Sequence, residues 1–359
     1  MANAVLAGTE ATSASSIRVA RAHIPPLVEP ITDRTYVING SWARTFVFRL
    51  DPTRAECIII DPGISEDVEL AYKRRYSEML RKAIADTGVP HEQIKLELKN
   101  NELMVGFLRQ IKQILGGMDR DEEFATSKET MHTRVADIER IVRENDWQVL
   151  AIFATHHHID HLGVGNILRL QLGLKEMVLL PDPNILSRAV LRRGDWNYRA
   201  LDPNGTFQRI DMDRGFVKEF GIEVIDVSGH TSMVAFKLPD GTVIGGDLVT
   251  PIRMWNSSIA YLEDVPLHLA SLERLRGLRF QRLLLSHGSS FNLDFETAQL
   301  LTVKNIERVR EASAALDICH GDVVAAAVHY LTIRGNEINE ASIQGIMSAA
   351  DNLTEYAFK

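Results

Sequence analysis

Residues Thr155 to Gly163 read Thr-His-His-His-Ile-Asp-His-Leu-Gly, directly after the apolar run Val149-Leu150-Ala151-Ile152-Phe153-Ala154. That run has the length and composition of a buried strand. A strand that empties into four histidines and an aspartate is not finishing a core. Imidazole and carboxylate together are the donor set for zinc, manganese or iron. On extended backbone, side chains alternate sides, which puts His156, His158 and Asp160 on one side and His157 and Ile159 on the other. His161 follows one residue later, where Leu162-Gly163-Val164-Gly165-Asn166 turns the chain into a helix. His156, His158, Asp160 and His161 are therefore the expected metal ligands, and His157 is expected to be a supporting or surface residue.

Other donors stand in comparable places. Asp61 follows Cys57-Ile58-Ile59-Ile60, and His230 follows the strand-like stretch Ile222 to Val227. Asp247 follows Thr242 to Gly246, and His287 follows Leu283-Leu284-Leu285-Ser286. Taken singly, each is an ordinary polar residue. Taken together, five donors at strand ends are expected to meet on one rim if the strands lie in packed sheets. Sites in layered α/β proteins form at such rims.

The pattern His156-x-His158-x-Asp160-His161 after an apolar strand resembles the signature of the metallo-β-lactamase superfamily. That family's first element resembles Ile60-Asp61-Pro62-Gly63, its third Gly229-His230-Thr231, its fourth Gly246-Asp247 and its fifth Ser286-His287-Gly288. One departure is Met233, where the family commonly has glycine. The resemblance implies a four-layer αββα sandwich, two mixed sheets face to face with helices outside. It also implies two divalent metal ions, zinc foremost, with iron or manganese as alternatives. It assigns His156, His158 and His230 to one ion, Asp160, His161 and His287 to the other, and Asp247 as the bridge. Asp61 and Asp160 are the expected catalytic carboxylates, Asp61 by orienting a ligand or the attacking hydroxide.

The expected chemistry is hydrolysis of an activated acyl bond by a metal-bridging hydroxide, since water bound to such ions ionises near neutral pH. The family's lactam-cleaving enzymes usually have cysteine where this chain has Asp247. The aspartate is more like glyoxalase II, thioesterases and lactonases, so a thioester, ester or lactone is the expected substrate. A di-iron oxygenase or other redox enzyme on the same fold is the first alternative. A phosphodiesterase or nuclease follows, then a noncatalytic binding protein.

Composition narrows these readings. The net charge of −8 disfavours a protein that grips nucleic-acid phosphates, which takes a basic face. No run approaches the ~18 apolar residues of a membrane span. Met1 to Ser16 has neither basic flank nor apolar centre, so it is not read as a secretory signal. With only Cys57 and Cys319, far apart in sequence, a cytoplasmic protein with reduced thiols is expected.

The expected organisation is a flexible leader over 1–30, a metallo-β-lactamase-like domain over 31–292, and a helical C-terminal extension over 293–359. Three helical segments are expected near 66–85, 91–115 and 127–144, of which about 66–125 is read as an insertion. It leaves the core beside Asp61, so a lid over the pocket is the first reading and a homodimer surface the second. Arg253, Trp255 and Tyr261 are expected on a loop forming a pocket wall or packing at the surface. The tail helices are expected near 296–315, 321–333 and 339–350, with breaks at Asp317 and at Gly335-Asn336.

Overall fold

Period-2 alternation builds both sheets. In a computed structural model, the chain is described over residues 28–39, 43–64, 66–90, 92–94, 98, 101–118, 127–175, 178–182, 207–210, 217, 220–251, 261–336, 338 and 342–357. The expectations for Arg253 and Trp255 lie outside the described residues.

The first sheet runs in chain order: β1 (Val28–Pro30), β2 (Thr35–Ile38), β3 (Thr45–Arg49), β4 (Glu56–Ile60), β5 (Gln148–Phe153), β6 (Val178–Leu180) and β7 (Phe207–Arg209). Its first three pairings are antiparallel and the rest, from β4 onward, are parallel. The second sheet holds β8 (Glu223–Asp226), β9 (Val234–Lys237), β10 (Thr242–Ile244), β11 (Arg282–Leu284) and β12 (Asn292–Asp294), in the order β12-β11-β10-β9-β8. β10 and β11 are parallel and the other pairs antiparallel. Val28–Pro30, expected in the loose leader, instead pair antiparallel with β2. β12 was not expected; its residues Asn292-Leu293-Asp294 are too short and polar to show a pattern.

Alternate residues decide which layer each face meets. Phe46, Phe48, Ile58, Ile60 and Phe153 pack against Phe236, Ile244 and Leu284 of the other sheet, forming the inter-sheet core. Their neighbours Val47, Cys57, Ile59, Val149 and Ile152 face outward onto the helix α3 (Ser127–Glu144), through Val135, Ile138 and Ile141. On the far side, Ala235, Val243 and Leu283 meet Leu272 and Leu275 of α6 (Val265–Gly277) and Ala298 and Ile306 of α7 (Phe295–Ile318). The order helix, sheet, sheet, helix is thus written in the burial of alternate side chains, and it is the expected αββα sandwich.

A separate helical body completes the molecule. α1 (Glu66–Asp86) and α2 (Asn101–Gly116) share one apolar cluster with α7, α8 (Val323–Ile333) and α9 (Ile343–Ala357). Phe107, Leu108 and Ile111 of α2 are buried with Val324, Ala327, Tyr330, Met347 and Leu353. Lys112 pairs with Asp351 at 2.9 Å, and the Arg109 Nε with Asp322 at 2.7 Å. α2 is shorter than the expected 91–115, although residues 92–94 are also helical. Asp317 is the penultimate residue of α7, so the break expected there falls one residue later, after Ile318. No helix among the described residues is long and apolar enough to cross a membrane.

Candidate metal centre

Parallel pairing of β4 with β5 brings their C-terminal ends side by side. The Asp61 N–H donates to the Phe153 carbonyl at 3.0 Å, and the Thr155 N–H donates to Asp61 Oδ1 at 2.7 Å. The Thr155 carbonyl accepts from Val234 of β9 at 3.0 Å, tying the loop after β5 to the opposite sheet. Past His158 the backbone is no longer extended. The short helix α4 (Ile159–Leu162) starts there, the His158 carbonyl accepting from His161 and Leu162. Strand parity therefore accounts for His156 and His158, whereas a helical turn delivers Asp160 and His161. α5 (Gly165–Gln171) follows at once.

Close approach explains two glycines. A Cβ on Gly163 would stand 2.2 Å from the Gly63 carbonyl oxygen, so only glycine lets this turn nest against the Asp61 loop. Gly246, at φ +55°, would place a Cβ 2.9 Å from Thr155 Oγ1 and 3.1 Å from Met233 Sδ. Met233 is fully buried and packs its sulfur against Gly246.

His230 stands on the loop after β8. That loop is held by the segment entering α6: the Asp264 N–H donates to the Gly229 carbonyl at 2.8 Å and the Glu263 N–H to the His230 carbonyl at 3.1 Å. His287 follows β11, and Arg44 braces its turn. The Arg44 N–H donates to the Ser286 carbonyl at 2.9 Å, and its guanidinium reaches the Gly288 carbonyl and lies 4.1 Å above the Phe291 ring.

All seven expected ligands come together, in two groups: His156, His158, His230 and Asp247, then Asp160, His161 and His287. Within each group the donor atoms lie within 4.8 Å of one another. Asp247 faces both. Its Oδ2 is 3.4 Å from His230 Nε2 and 4.0 Å from His156 Nε2. Its Oδ1 is 3.2 Å from both His161 Nε2 and His287 Nε2. Asp160 Oδ2 is 3.3 Å from His287 Nε2 and 3.9 Å from His161 Nε2.

Hydrogen bonds behind the rings hold them in place. His230 Nδ1 donates to the Tyr261 carbonyl at 2.6 Å and His161 Nδ1 to Asp61 Oδ2 at 2.9 Å. Carbonyl and carboxylate oxygens only accept, so in both rings Nδ1 carries a proton and Nε2 is the nitrogen turned toward the other donors. His157 is buried, with its Nδ1 3.4 Å from Thr231 Oγ1. It supports the His230 loop and is not a surface residue.

Burial and charge divide the histidines. Burial pulls His156 and His158 well below the ordinary imidazole range, helped by the neighbouring rings. It also lowers His230, outweighing Asp247. Burial opposes charge on His161 and His287 too, but Asp247 leads a set of carboxylates that wins there. His161 is raised well above its usual value and His287 to about 9. Burial raises Asp247, yet His287 and His161 hold it well below the carboxylate range.

The donors fit divalent cations. The Nε2 atoms of His156, His158, His161 and His287 and the Oδ1 of Asp247 are buried with no hydrogen-bond partner. Buried polar atoms are almost always paired, and five orphans aimed at one another leave a deficit that cations remove. Imidazole plus carboxylate is the right donor chemistry for them.

Comparison with known proteins agrees. The family described as the metallo-beta-lactamase superfamily matches residues 116–287. Over residues 116–287 the chain is similar to the metallo-β-lactamase superfamily. Asp61 lies outside the matched stretch and His287 closes it. Among solved structures, a beta-lactamase domain protein from Burkholderia ambifaria is 14% identical at a TM-score of 0.53, covering 92% of this chain and 87% of that one. That likeness shows the metallo-β-lactamase fold and nothing of substrate. A metallo-beta-lactamase family protein from Thermus thermophilus is 13% identical, covering 93% and 92% of the two chains at a TM-score of 0.44. A metallo-beta-lactamase from Pontibacter korlensis is 15% identical over 79% of this chain and 99% of that one, at 0.43. No curated protein matches the chain in sequence. Members of the superfamily are mostly metal-dependent hydrolases, and this chain carries the His/Asp cluster that divalent metal binding requires.

Sequence reasoning did not find Thr155, Arg44 or the Tyr261 carbonyl as parts of the site. Thr155 had a signal, its place immediately before the first ligand. The other two act through backbone oxygens, which leave no trace in a residue pattern.

Proposed function

We propose that this protein is a dinuclear zinc hydrolase of an activated acyl bond, a thioester, ester or lactone. The single observation that carries the reading is Asp247, whose two oxygens are divided between the two donor groups. A cysteine there, as in the family's lactam-cleaving enzymes, could not face both groups in this way. His156, His158 and His230 would hold one ion and Asp160, His161 and His287 the other, with Asp247 between them. When bound, the pair of ions acidifies water and polarises an acyl oxygen.

The chain's own contribution is orientation and exclusion of solvent. The Asp61 carboxylate and the Tyr261 carbonyl keep the Nε2 atoms of His161 and His230 facing inward. Thr155, His156 and His161 are sealed from solvent, which leaves the more exposed Asp160 carboxylate on the open side. Substrate would therefore approach past Asp160. Thiolate and acidic alkoxide groups leave without a proton delivered to them, whereas an amide nitrogen needs one. Thioesters and lactones should accordingly be cleaved faster than unstrained amides. The test is an acyl-thioester, ester and lactone panel assayed without oxygen, first with zinc and then with iron. Turnover with zinc supports the hydrolase. Activity that needs both iron and oxygen would replace it with the redox reading.

A further inference from the structure

We propose that the Thr155 hydroxyl couples the two donor groups, fixing the ring orientation and proton position of one histidine in each. The inference rests on the metal-centre reading above and goes beyond it by giving Thr155 a role in both halves.

Hydrogen-bond direction fixes where the protons lie. An ionised carboxylate only accepts. Asp61 Oδ1 accepts the Thr155 backbone N–H at 2.7 Å, and Oδ2 accepts His161 Nδ1–H at 2.9 Å. Thr155 Oγ1 lies 2.9 Å and 3.1 Å from the two oxygens of that carboxylate, so its one proton points to Asp61. Oγ1 then has only lone pairs to offer His156 Nδ1, 3.0 Å away. That contact is a hydrogen bond only when His156 Nδ1 carries the proton, which leaves Nε2 as the lone pair facing Asp247 Oδ2. His161 likewise carries a proton on Nδ1 and donates it directly to Asp61. The two rings belong to different donor groups, and both depend on one carboxylate, His156 through one hydroxyl.

Three observations make Thr155 specific for this task. It is 0% exposed, so no bulk water competes for the hydroxyl. Its branched Cβ restricts χ1, so the hydroxyl does not swing away. Gly246, the residue before the bridging Asp247, is packed so closely that a Cβ there would fall 3.0 Å from Thr155 Cβ. The loop before Asp247 thus rests on the same side chain.

Thr155→Val keeps the shape and removes the hydroxyl, and Thr155→Ser keeps the hydroxyl. The full-length protein is stripped of metal and titrated with zinc against a chromophoric chelator, giving the first and second stepwise affinities. Nitrogen-15 NMR of the loaded protein reports which ring nitrogen of His156 and His161 carries hydrogen. Wild type should take up two ions; failure to do so defeats the metal-centre reading itself, apart from Thr155. Given two ions, Thr155→Val should weaken both affinities by about 10–100-fold, and Thr155→Ser by less than about tenfold. Loss confined to one affinity, or none, overturns the coupling. Should Thr155→Val fail to fold by circular dichroism, Asp61→Asn decides the matter. It should weaken both affinities and disturb the His156 proton as well as that of His161. An effect on His161 alone overturns the proposal.

Discussion

At the residue scale, position along the loop after β5 separates binding from support. His157 and His158 are adjacent and both buried, yet His158 Nδ1 stands 3.1 Å from His230 Nε2 while His157 Nδ1 meets Thr231. His158→Ala should therefore lower metal content from about two ions per chain to about one, and His157→Ala should leave about two. Elemental analysis of both variants checks this, and equal losses would remove the distinction. The carboxylates around His287 set a pH dependence of definite sign. Its pKa in the folded chain is about 9, above the ordinary ~6.5. In the metal-free protein its stabilisation is complete below about pH 6.5 and lost as pH rises through about 9. A cation must displace that proton, so zinc uptake at pH 7.5 should release about one more proton than uptake at pH 9.5. Calorimetry in buffers of different ionisation enthalpy counts the protons. Release independent of pH would contradict the assignment.

At the element scale, the helix α3 does more than cover a sheet. Arg134 is 1% exposed and spends its guanidinium on neighbouring loops. Nε donates to the Pro62 carbonyl at 3.3 Å, Nη1 to the Asn39 carbonyl at 3.1 Å and Nη2 to Thr45 Oγ1 at 2.7 Å. The loop carrying Asp61, whose own φ is +53°, is thereby tied to the start of β3. Arg134→Met should cost about 3 kcal/mol, because it strands a buried carbonyl, a half-buried carbonyl and a buried hydroxyl. A denaturant titration measures it; a cost below about 1 kcal/mol would mean that the acceptors find other partners.

At the scale of the whole molecule, the helices inserted after Asp61 and those at the C-terminus form one body. The expectation of a lid or a dimer surface considered the insertion by itself. Its buried face instead meets α7, α8 and α9 of the same chain. We propose that 31–292 and 293–359 are not independent folding units, since each supplies part of this core. Phe107 is 3% exposed within it. Phe107→Ala should cost about 3–5 kcal/mol while the folded fraction keeps its metal, because no donor residue belongs to this core. Chemical denaturation and elemental analysis of the same variant separate the two effects. Lost metal with unchanged stability would contradict the separation.

The ligand set was legible because each donor follows an apolar strand, and strands alternate whatever their neighbours do. His156 and His158 could be phased from that alone, whereas the layering was what the family resemblance implied. Asp160 and His161 were named for a partly wrong reason, since the backbone turns helical after His158. The helical body was not legible, because an amphipathic stripe says that a face is buried and not against what. Only the tertiary structure brings α2 to α8 and α9, more than 200 residues away along the chain. The same limit applies inside the site. Sequence named Asp247 as a donor, and family resemblance named it as the bridge. The division of its two oxygens between two histidine groups, and the Tyr261 carbonyl behind His230, depend on loops meeting from both sheets. Residue type fixes what a side chain can donate or accept; distance and direction, which decide what it does, exist only once the chain has folded.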